Sequence, residues 1–515
     1  MPSTTVRDGM AGAAAAALAL GVSELAAGLL GLPSLVEAVG DWVIAVSPTP
    51  VKEWAIDTFG TNDKLVLLVG IVVVAVAFGA LIGILARRRF GIAIAAFLGF
   101  GAAAALTAVR DPAVSLGLAV IPAGLAAITG LAALRWLYDR SAVDESPPAE
   151  PGRDAAEDPS RRRLMIGLGA VVGVAAVSGV IGRALVDRST RTVSGRADVV
   201  LPAAAEGLAP VPEAAELGVE GLSPVITPNE VFYRIDTAFL GVPRVEIADW
   251  ALSIEGRVDR PYTITYADLL DMPLIERDVT LSCVSNKVGG ELVGNARWLG
   301  VPLADVLDRA DVSDDAEQVV GRSVDDFTVG FPVDVVYDGR DALLAVGMNG
   351  EPLPLEHGFP ARLVVAGLYG YVSATKWLSS IELTGWDEFD AYWVPRGWAK
   401  EAPIKTQSRI DTPTDRSALE PGMRRVAGVA WAPNRGISRV EVKLGEDADW
   451  VEAELSEPLS NNCWRQWVVE WDASAGTHRI QVRATDGEGE VQTDQARPPA
   501  PDGATGWHTI QVSVG

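Results

Sequence analysis

Residues Thr280–Leu303 read TLSCVSNKVGGELVGNARWLGVPL. The run Asp278-Val-Thr-Leu-Ser282 has the alternation of a strand and ends in a single cysteine, Cys283. Behind it comes a loop holding Asn286, Gly289, Gly290, Gly294 and Asn295. Glycines let a backbone approach a bulky ligand closely, so a thiol facing such a loop is a candidate soft-metal ligand. A cysteine beside a strand is also a good small core residue, and the surrounding motifs have to decide between the two.

The chain has 515 residues, 49% of them hydrophobic, too many for one ordinary domain. The long apolar runs are concentrated before Leu185, and the later half alternates like a globular protein. A membrane part followed by a soluble part is therefore expected. The formal net charge of −24 argues against a nucleic-acid partner, because phosphate backbones are held by Lys/Arg surfaces. Cys283 and Cys463 are the two cysteines, far apart and in different expected domains, so both are expected to be unpaired thiols. Neither C-x-x-C nor H-x-x-x-H spacing occurs, which argues against a zinc site.

Five stretches approach the roughly 20 apolar residues that a spanning helix needs: 9–32, 64–86, 90–109, 113–137 and 164–185. Glu24 would be costly in the first unless it faces other helices. Between 33 and 63 the chain is mixed, with Trp42 and Trp54 suited to an interfacial or re-entrant segment. Arg7, Arg87-Arg88-Arg89 and Arg161-Arg162-Arg163 mark the cytoplasmic side. With five spans, everything after Leu185 lies outside. The expected order is a membrane domain over 1–138 with about four transmembrane helices and an acidic, Pro-rich cytoplasmic linker over 139–160. A fifth helix over 161–185 and a tether over 186–222 follow. The stretch Ser160-Arg-Arg-Arg-Leu-Met165 before the fifth helix also has the form of a twin-arginine export signal. No histidine precedes His357, so these helices hold no bis-histidine haem, and electrons must pass through a partner.

The soluble part opens with TPNEVFYRIDT at Thr227–Thr237 and continues as strand, turn, strand and short helix toward Cys283, the mixed period of an α+β domain over 223–405. From Thr406 the chain turns to short strands, such as Val426–Trp431, Ile437–Lys443 and His478–Arg483, separated by Gly, Asp and Asn. That pattern describes a β-sandwich over 406–515.

The motif order C-x-S-N, G-N-A-R-W-x-G-V-P-L, then MNGEPLPLEHGFPARLVV over Met348–Val365, then Lys376-Trp377, resembles the molybdopterin-binding core of the sulfite oxidase family. The resemblance covers Thr227–Gly515. It implies a sulfite oxidase-like catalytic domain and a C-terminal immunoglobulin-like domain that makes a homodimer contact in relatives. It further implies a molybdenum-molybdopterin (Mo-MPT) cofactor with the Cys283 thiolate as metal ligand. Tyr233, Arg234, Asp236, Asn286, His357, Arg362 and Lys376 are then cofactor-binding candidates. Arg362 as a planar fork and Lys376 as a point charge suit a buried phosphate monoester. Tyr369, Tyr371 and Ser373 are candidates for the pocket wall. Arg297 fits either a phosphate contact or a structural ion pair.

One departure bears on substrate. Sulfite oxidases proper carry C-A-G-N-R-R, and this chain has Cys283-Val-Ser-Asn-Lys287-Val288, so a bidentate partner for a sulfite dianion is missing. Lys287 and Arg396 remain as cations for an oxyanion or oxide substrate, and both are assigned catalytic roles. Such an enzyme sits in a bacterial or archaeal cell membrane with its catalytic domain outside. It exports folded because a pterin-metal centre is inserted in the cytoplasm, and it passes electrons to a cytochrome or quinone-linked subunit. Two other readings stand beside oxygen-atom transfer from substrate oxidation: an S-oxide or N-oxide reductase of the same family, and a non-catalytic membrane-anchored protein that binds through its sandwich.

Overall fold

The computed structural model describes residues 4–30, 32, 34–47, 51, 58–59, 63–108, 116–141, 159–193, 195–237, 242–243 and 245–515. The chain divides into two compact units, 1–194 with 236–244, and 195–235 with 245–515.

The first unit is helical: α1 Thr4–Leu29, α2 Leu35–Val46, α3 Asp63–Ala86, α4 Gly91–Ala108, α5 Leu116–Ser141 and α6 Pro159–Val193. Five of these, all but α2, contain stretches long and apolar enough to cross a membrane. Helix α1 is the hub because its Gly/Ala surface lets neighbouring backbones touch. A Cβ on Gly12 would fall 2.1 Å from Gly79 O in α3, and one on Gly28 would fall 2.6 Å from Gly182 O in α6. Outward-facing positions are apolar as well, among them Val69, Val73, Phe78 and Leu81 on α3 and Val174, Val177 and Val180 on α6. Glu24 is partnered inside the unit, its carboxylate accepting from Ser34 Oγ at 2.5 Å. The mixed segment after α1 contains the helix α2; Trp42 on it is exposed, and Trp54 lies outside the described residues. Residues 142–158 of the linker also lie outside them.

The expected tether over 186–222 is not a free spacer. Helix α6 runs on to Val193. From Gly195 the chain lies along the second unit through backbone bonds, including Ala205 N to Leu274 O at 2.7 Å, Glu276 N to Glu206 O at 2.9 Å and Glu457 N to Ala214 O at 2.9 Å. Arg196 adds bonds to Leu353 O and Pro352 O.

The second unit begins with an α+β region of two sheets. One runs Tyr262–Thr265, Ala251–Gly256, Leu378–Thr384, Gln318–Ser323, Thr328–Pro332, with Ala251–Gly256 and Leu378–Thr384 parallel. The other, wholly antiparallel, runs Ile275–Ser282, Val293–Pro302, Ala342–Met348 and Glu351–Pro352, with Arg362–Val365 also on Ala342–Met348. A Thr265/Asp268 capping box starts the short helix Tyr266–Leu270 that leads into the cysteine strand.

The C-terminal region is a sandwich of a four-stranded and a five-stranded sheet. Alternation builds it: in Gly476–Asp486, Ile480, Val482 and Ala484 are buried while Gln481 and Arg483 between them are partly exposed. Val426, Val440, Val442, Trp467, Ile510 and Val512 complete the core. The sandwich also covers the free edge of the cysteine strand: Thr280 N donates to Asn462 O at 2.9 Å, and Thr280 Oγ1 accepts from Trp464 N at 2.7 Å. Covering that edge removes an open template for strand pairing and leaves the strand buried from Asp278 to Ser282.

Candidate active site

Cys283 sits at the end of Ile275–Ser282, where the loop to Val293–Pro302 begins. The loop folds back on itself: Cys283 N donates to Leu292 O at 2.9 Å, Asn286 N to Cys283 O at 3.0 Å, and Gly290 N to Lys287 O at 2.9 Å. Asn286 ties the far side, its Oδ1 accepting from Leu292 N at 2.9 Å. The Cys283 thiol is buried. Burial pushes its pKa up, and hydrogen bonds from the Ser285 backbone and hydroxyl pull the other way. Those bonds from Ser285 favour thiolate, the form that binds metal. Ser285 was absent from the sequence-based candidates although it lies inside C-x-S-N.

Tyr233 and Tyr369 lie close enough to Cys283 to feel its charge. Burial raises the pKa of each, and negative charge at Cys283 raises both further. The Tyr233 hydroxyl and Ser282 O both lie about 4 Å from the position a Gly370 Cβ would take. The Tyr233 ring stacks on Phe232 at 5.3 Å between centroids, and Phe232 meets Trp298 edge-on at 6.0 Å and His357 at 5.5 Å. Phe232 can lie there because Gly294 has no side chain; a Cβ would fall 2.7 Å from its ring.

A cation cluster lies next to this aromatic layer. Arg362 is 5% exposed, sits 5.0 Å over the Trp298 ring, and donates to His357 O at 3.1 Å and Leu363 O at 3.3 Å. Burial lowers its pKa from 12.5 to about 10, with a small opposing influence from Tyr233, and among the described residues no carboxylate acts on it. Lys376 lies over Trp377 and donates to Glu356 O at 3.0 Å. His357, whose Nε2 is 3.1 Å from Asn229 O, has its pKa pushed down to about 4 by burial and then by Arg362, Lys376 and Arg234. The turn that gathers these groups needs Gly358: at φ +108 a Cβ would fall 2.9 Å from Lys376 Cβ and 3.2 Å from Arg362 Cβ.

The remaining candidates divide. Arg234 acts electrostatically on His357, as above, whereas Asp236 belongs to the segment 236–244 that groups with the helical unit. Lys287 is exposed on the cysteine loop. Arg396 donates to Tyr392 O and lies 3.7 Å over the Tyr392 ring. Arg297 is a structural ion pair, with Nε and Nη2 each 2.9 Å from the Asp278 carboxylate. Tyr371 donates to Ala399 O at 2.6 Å, and Ser373 Oγ to Tyr369 O at 3.1 Å. Cys463 is a buried free thiol whose Sγ donates to Asp278 O at 3.1 Å.

A buried guanidinium without a carboxylate is costly unless an anion completes it, and here it stands beside a lysine, a histidine and an aromatic floor. Among the described residues, no group of three or more His, Cys, Asp or Glu side chains comes together to hold a metal ion. The donor set fits a phosphate-bearing organic cofactor that carries most of the metal's ligands and takes one sulfur from the protein.

Comparison with known proteins gives the same picture. Residues 239–393 match an oxidoreductase molybdopterin binding domain, and residues 400–514 match a Mo-co oxidoreductase dimerisation domain. Mitochondrial sulfite oxidase of Mus musculus is 28% identical over 350 residues, 58% of this chain and 63% of that protein, so the match spans less than two thirds of that relative. An uncharacterized oxidoreductase, YuiH, of Bacillus subtilis (strain 168) is 33% identical over 153 residues, 30% of this chain and 74% of that protein. The crystal structure of the sulfane dehydrogenase SoxCD from Paracoccus pantotrophus aligns with TM-score 0.50 and 25% identity over 57% of this chain and 82% of that one.

Proposed function

Given that the chain belongs to the sulfite oxidase family of molybdopterin-dependent oxidoreductases, we propose that it is a membrane-anchored, extracytoplasmic enzyme of two-electron oxygen-atom transfer, with Cys283 as the protein's ligand to molybdenum. When bound, the Mo-MPT cofactor supplies a redox metal that exchanges an oxygen atom with substrate. Cys283 contributes a thiolate to that metal, and the bonds from Ser285 hold its negative charge. Arg362, Lys376 and Arg234, with His357, receive the cofactor phosphate. Tyr233 and Asn286 border the pterin.

Lys287 and Arg396 orient a small oxyanion or oxide. With valine at position 288, a dianion such as sulfite is held by fewer charge-assisted bonds than a double arginine would give. An external carrier would be needed to take up the electrons that the bound cofactor supplies. The C-terminal sandwich makes a homodimer contact, as the description of its matching domain suggests.

Membrane anchoring is supported by the five long apolar helices and by their apolar outer surfaces, which water would not tolerate. Basic residues at 87–89 and 161–163 support a cytoplasmic side for those loops and an outside location for the catalytic unit. The Ser160–Met165 stretch acts as a twin-arginine export signal for a unit already loaded with cofactor.

The observation that carries this reading is Arg362, buried with no carboxylate among the described residues acting on it. The test is the molybdenum and pterin content of the purified protein against Cys283→Ser. Pterin is expected in both and metal-dependent turnover only in the parent; equal turnover would remove Cys283 as ligand.

A further inference from the structure

The cysteine loop is closed on its inner side by its own hydrogen bonds, but its outer side is made by the C-terminal sandwich. Arg409, on strand Gln407–Thr412, is 8% exposed and spreads its guanidinium over three elements. Nε donates to Asp411 Oδ1 at 2.6 Å, Nη2 to Ser223 Oγ at 2.9 Å, and Nη1 to Gly290 O at 2.9 Å. Asp411 is fixed in turn by the Ser223 N–H at 3.0 Å. His508, at the start of the last strand, accepts from Ile410 N at its Nδ1 at 2.9 Å. That bond turns the rest of the ring onto Gly289, where a Cβ would fall 2.1 Å from Cδ2 and 2.3 Å from Nε2.

The sandwich also reaches Tyr369, next to Gly370, where a Cβ would lie 3.9 Å from Ser282 O at the end of the cysteine strand. The Tyr369 hydroxyl accepts from the Lys405 backbone. Gly503, at φ +102, is applied so closely to the ring that a Cβ would lie 2.5 Å from the hydroxyl oxygen. A buried ion pair such as Arg409–Asp411 adds little net stability over an apolar replacement, because desolvating both charges offsets their attraction. What it supplies here is direction: a donor aimed at one carbonyl of the loop that carries Cys283.

We infer that the C-terminal sandwich is a working part of the metal centre: Arg409 and His508 set the Cys283–Leu292 loop, and Gly503 sets Tyr369, as positioning residues. This rests on the reading of Cys283 as the molybdenum ligand. A domain serving only for dimerisation has no use for a guanidinium bonded to the cysteine loop of its own chain.

The test is amide hydrogen exchange on the full chain, with and without cofactor, for Arg409→Met, Gly503→Ala and the control Arg424→Met, which alters an exposed pair with Glu420 on the same domain. Arg409→Met is expected to speed exchange of the 283–292 amides at least about tenfold, leave those of Val440, Val442, Ile480 and Val482 unchanged, and alter the Mo(V) paramagnetic resonance of loaded protein. Gly503→Ala is expected to alter that resonance with loop exchange unchanged, and Arg424→Met to alter neither. Unchanged loop exchange in Arg409→Met would overturn the inference, as would a rise shared with the sandwich strands. Should that variant not accumulate, Arg409→Lys is read the same way, since one ammonium cannot serve Asp411, Ser223 and Gly290 in their present geometry. Exchange is scored with or without metal: a parent protein lacking molybdenum counts against the functional reading, and an unaffected loop counts against this one.

Discussion

Replacing Arg362 with methionine separates a cofactor clamp from a structural arginine, because the two roles predict opposite balances. In the cofactor-free protein the variant loses bonds to His357 O and Leu363 O, each worth about 0.5–1.5 kcal/mol. It also removes a charge whose burial lowers the guanidinium pKa from 12.5 to about 10, a cost of roughly 3 kcal/mol. These terms have opposite sign and similar size. Methionine keeps the stem packed against Trp298, so the cofactor-free melting temperature is expected to move by no more than about 3 °C. Cofactor binding has no such compensation. Losing one charge-assisted bond to phosphate costs about 1.5–3 kcal/mol, roughly a 10- to 150-fold rise in the cofactor dissociation constant. The assay pairs thermal unfolding of cofactor-free protein with reconstitution at graded molybdopterin, read by fluorescence of the released, oxidised pterin. Intact loading together with a melting temperature lowered by more than about 5 °C would refute the argument and make Arg362 a structural residue.

Gly358→Ala forces a Cβ against Lys376 and Arg362 at positive φ, and is expected to cost about 1–3 kcal/mol and to lower pterin content; normal content would show the turn to be tolerant. His357 and His508 both have pKa values lowered from 6.5 to about 4. Each is therefore neutral when folded but protonated when unfolded between those values. Stability is full above about pH 6.5 and falls as pH drops toward 4, by about 2–3 kcal/mol per histidine at pH 4.5. Urea unfolding at pH 7 and 4.5 measures this, and His357→Gln should roughly halve the difference; an unchanged difference would contradict the burial assigned to His357. Bound phosphate should raise the His357 pKa and flatten the same profile. Arg297→Gln leaves the buried Asp278 carboxylate without its bidentate partner and is expected to destabilise by about 3 kcal/mol with cofactor loading intact. Reduced loading at unchanged stability would place Arg297 in the site instead.

The fold class was legible because its signals are local. Apolar runs of helical length announce α1 and α3 to α6, and strict alternation announces strands such as Gly476–Asp486. The segment after Gly195 was not legible for the opposite reason. Its attachment runs through main-chain groups, Ala205 N, Glu206 O and Ala214 O among them, and a backbone bond places no demand on side-chain pattern. An Ala/Pro/Gly-rich stretch held in this way is indistinguishable by composition from a flexible spacer.

The site divides along the same line. His357, Gly358 and Arg362 fall within one short motif because a single left-handed turn brings them together, so reading the string finds them at once. Ser285 stands two residues from Cys283 and could have been found by asking which neighbour stabilises a buried thiolate. Arg409 could not: it lies 119 residues beyond Gly290 in a strand whose only local signal is alternation, and nothing in Gln407–Thr412 marks its guanidinium as aimed at another domain. The same strand pattern accommodates an arginine facing solvent. What distinguishes the two is the covering of Ile275–Ser282 by Asn462–Trp464, a long-range pairing that locates the sandwich over the cysteine strand and so brings Arg409 and His508 within reach of its loop. Residues proposed to bind the cofactor thus lie close together in the sequence, while those proposed to aim Cys283 are brought to its loop by topology.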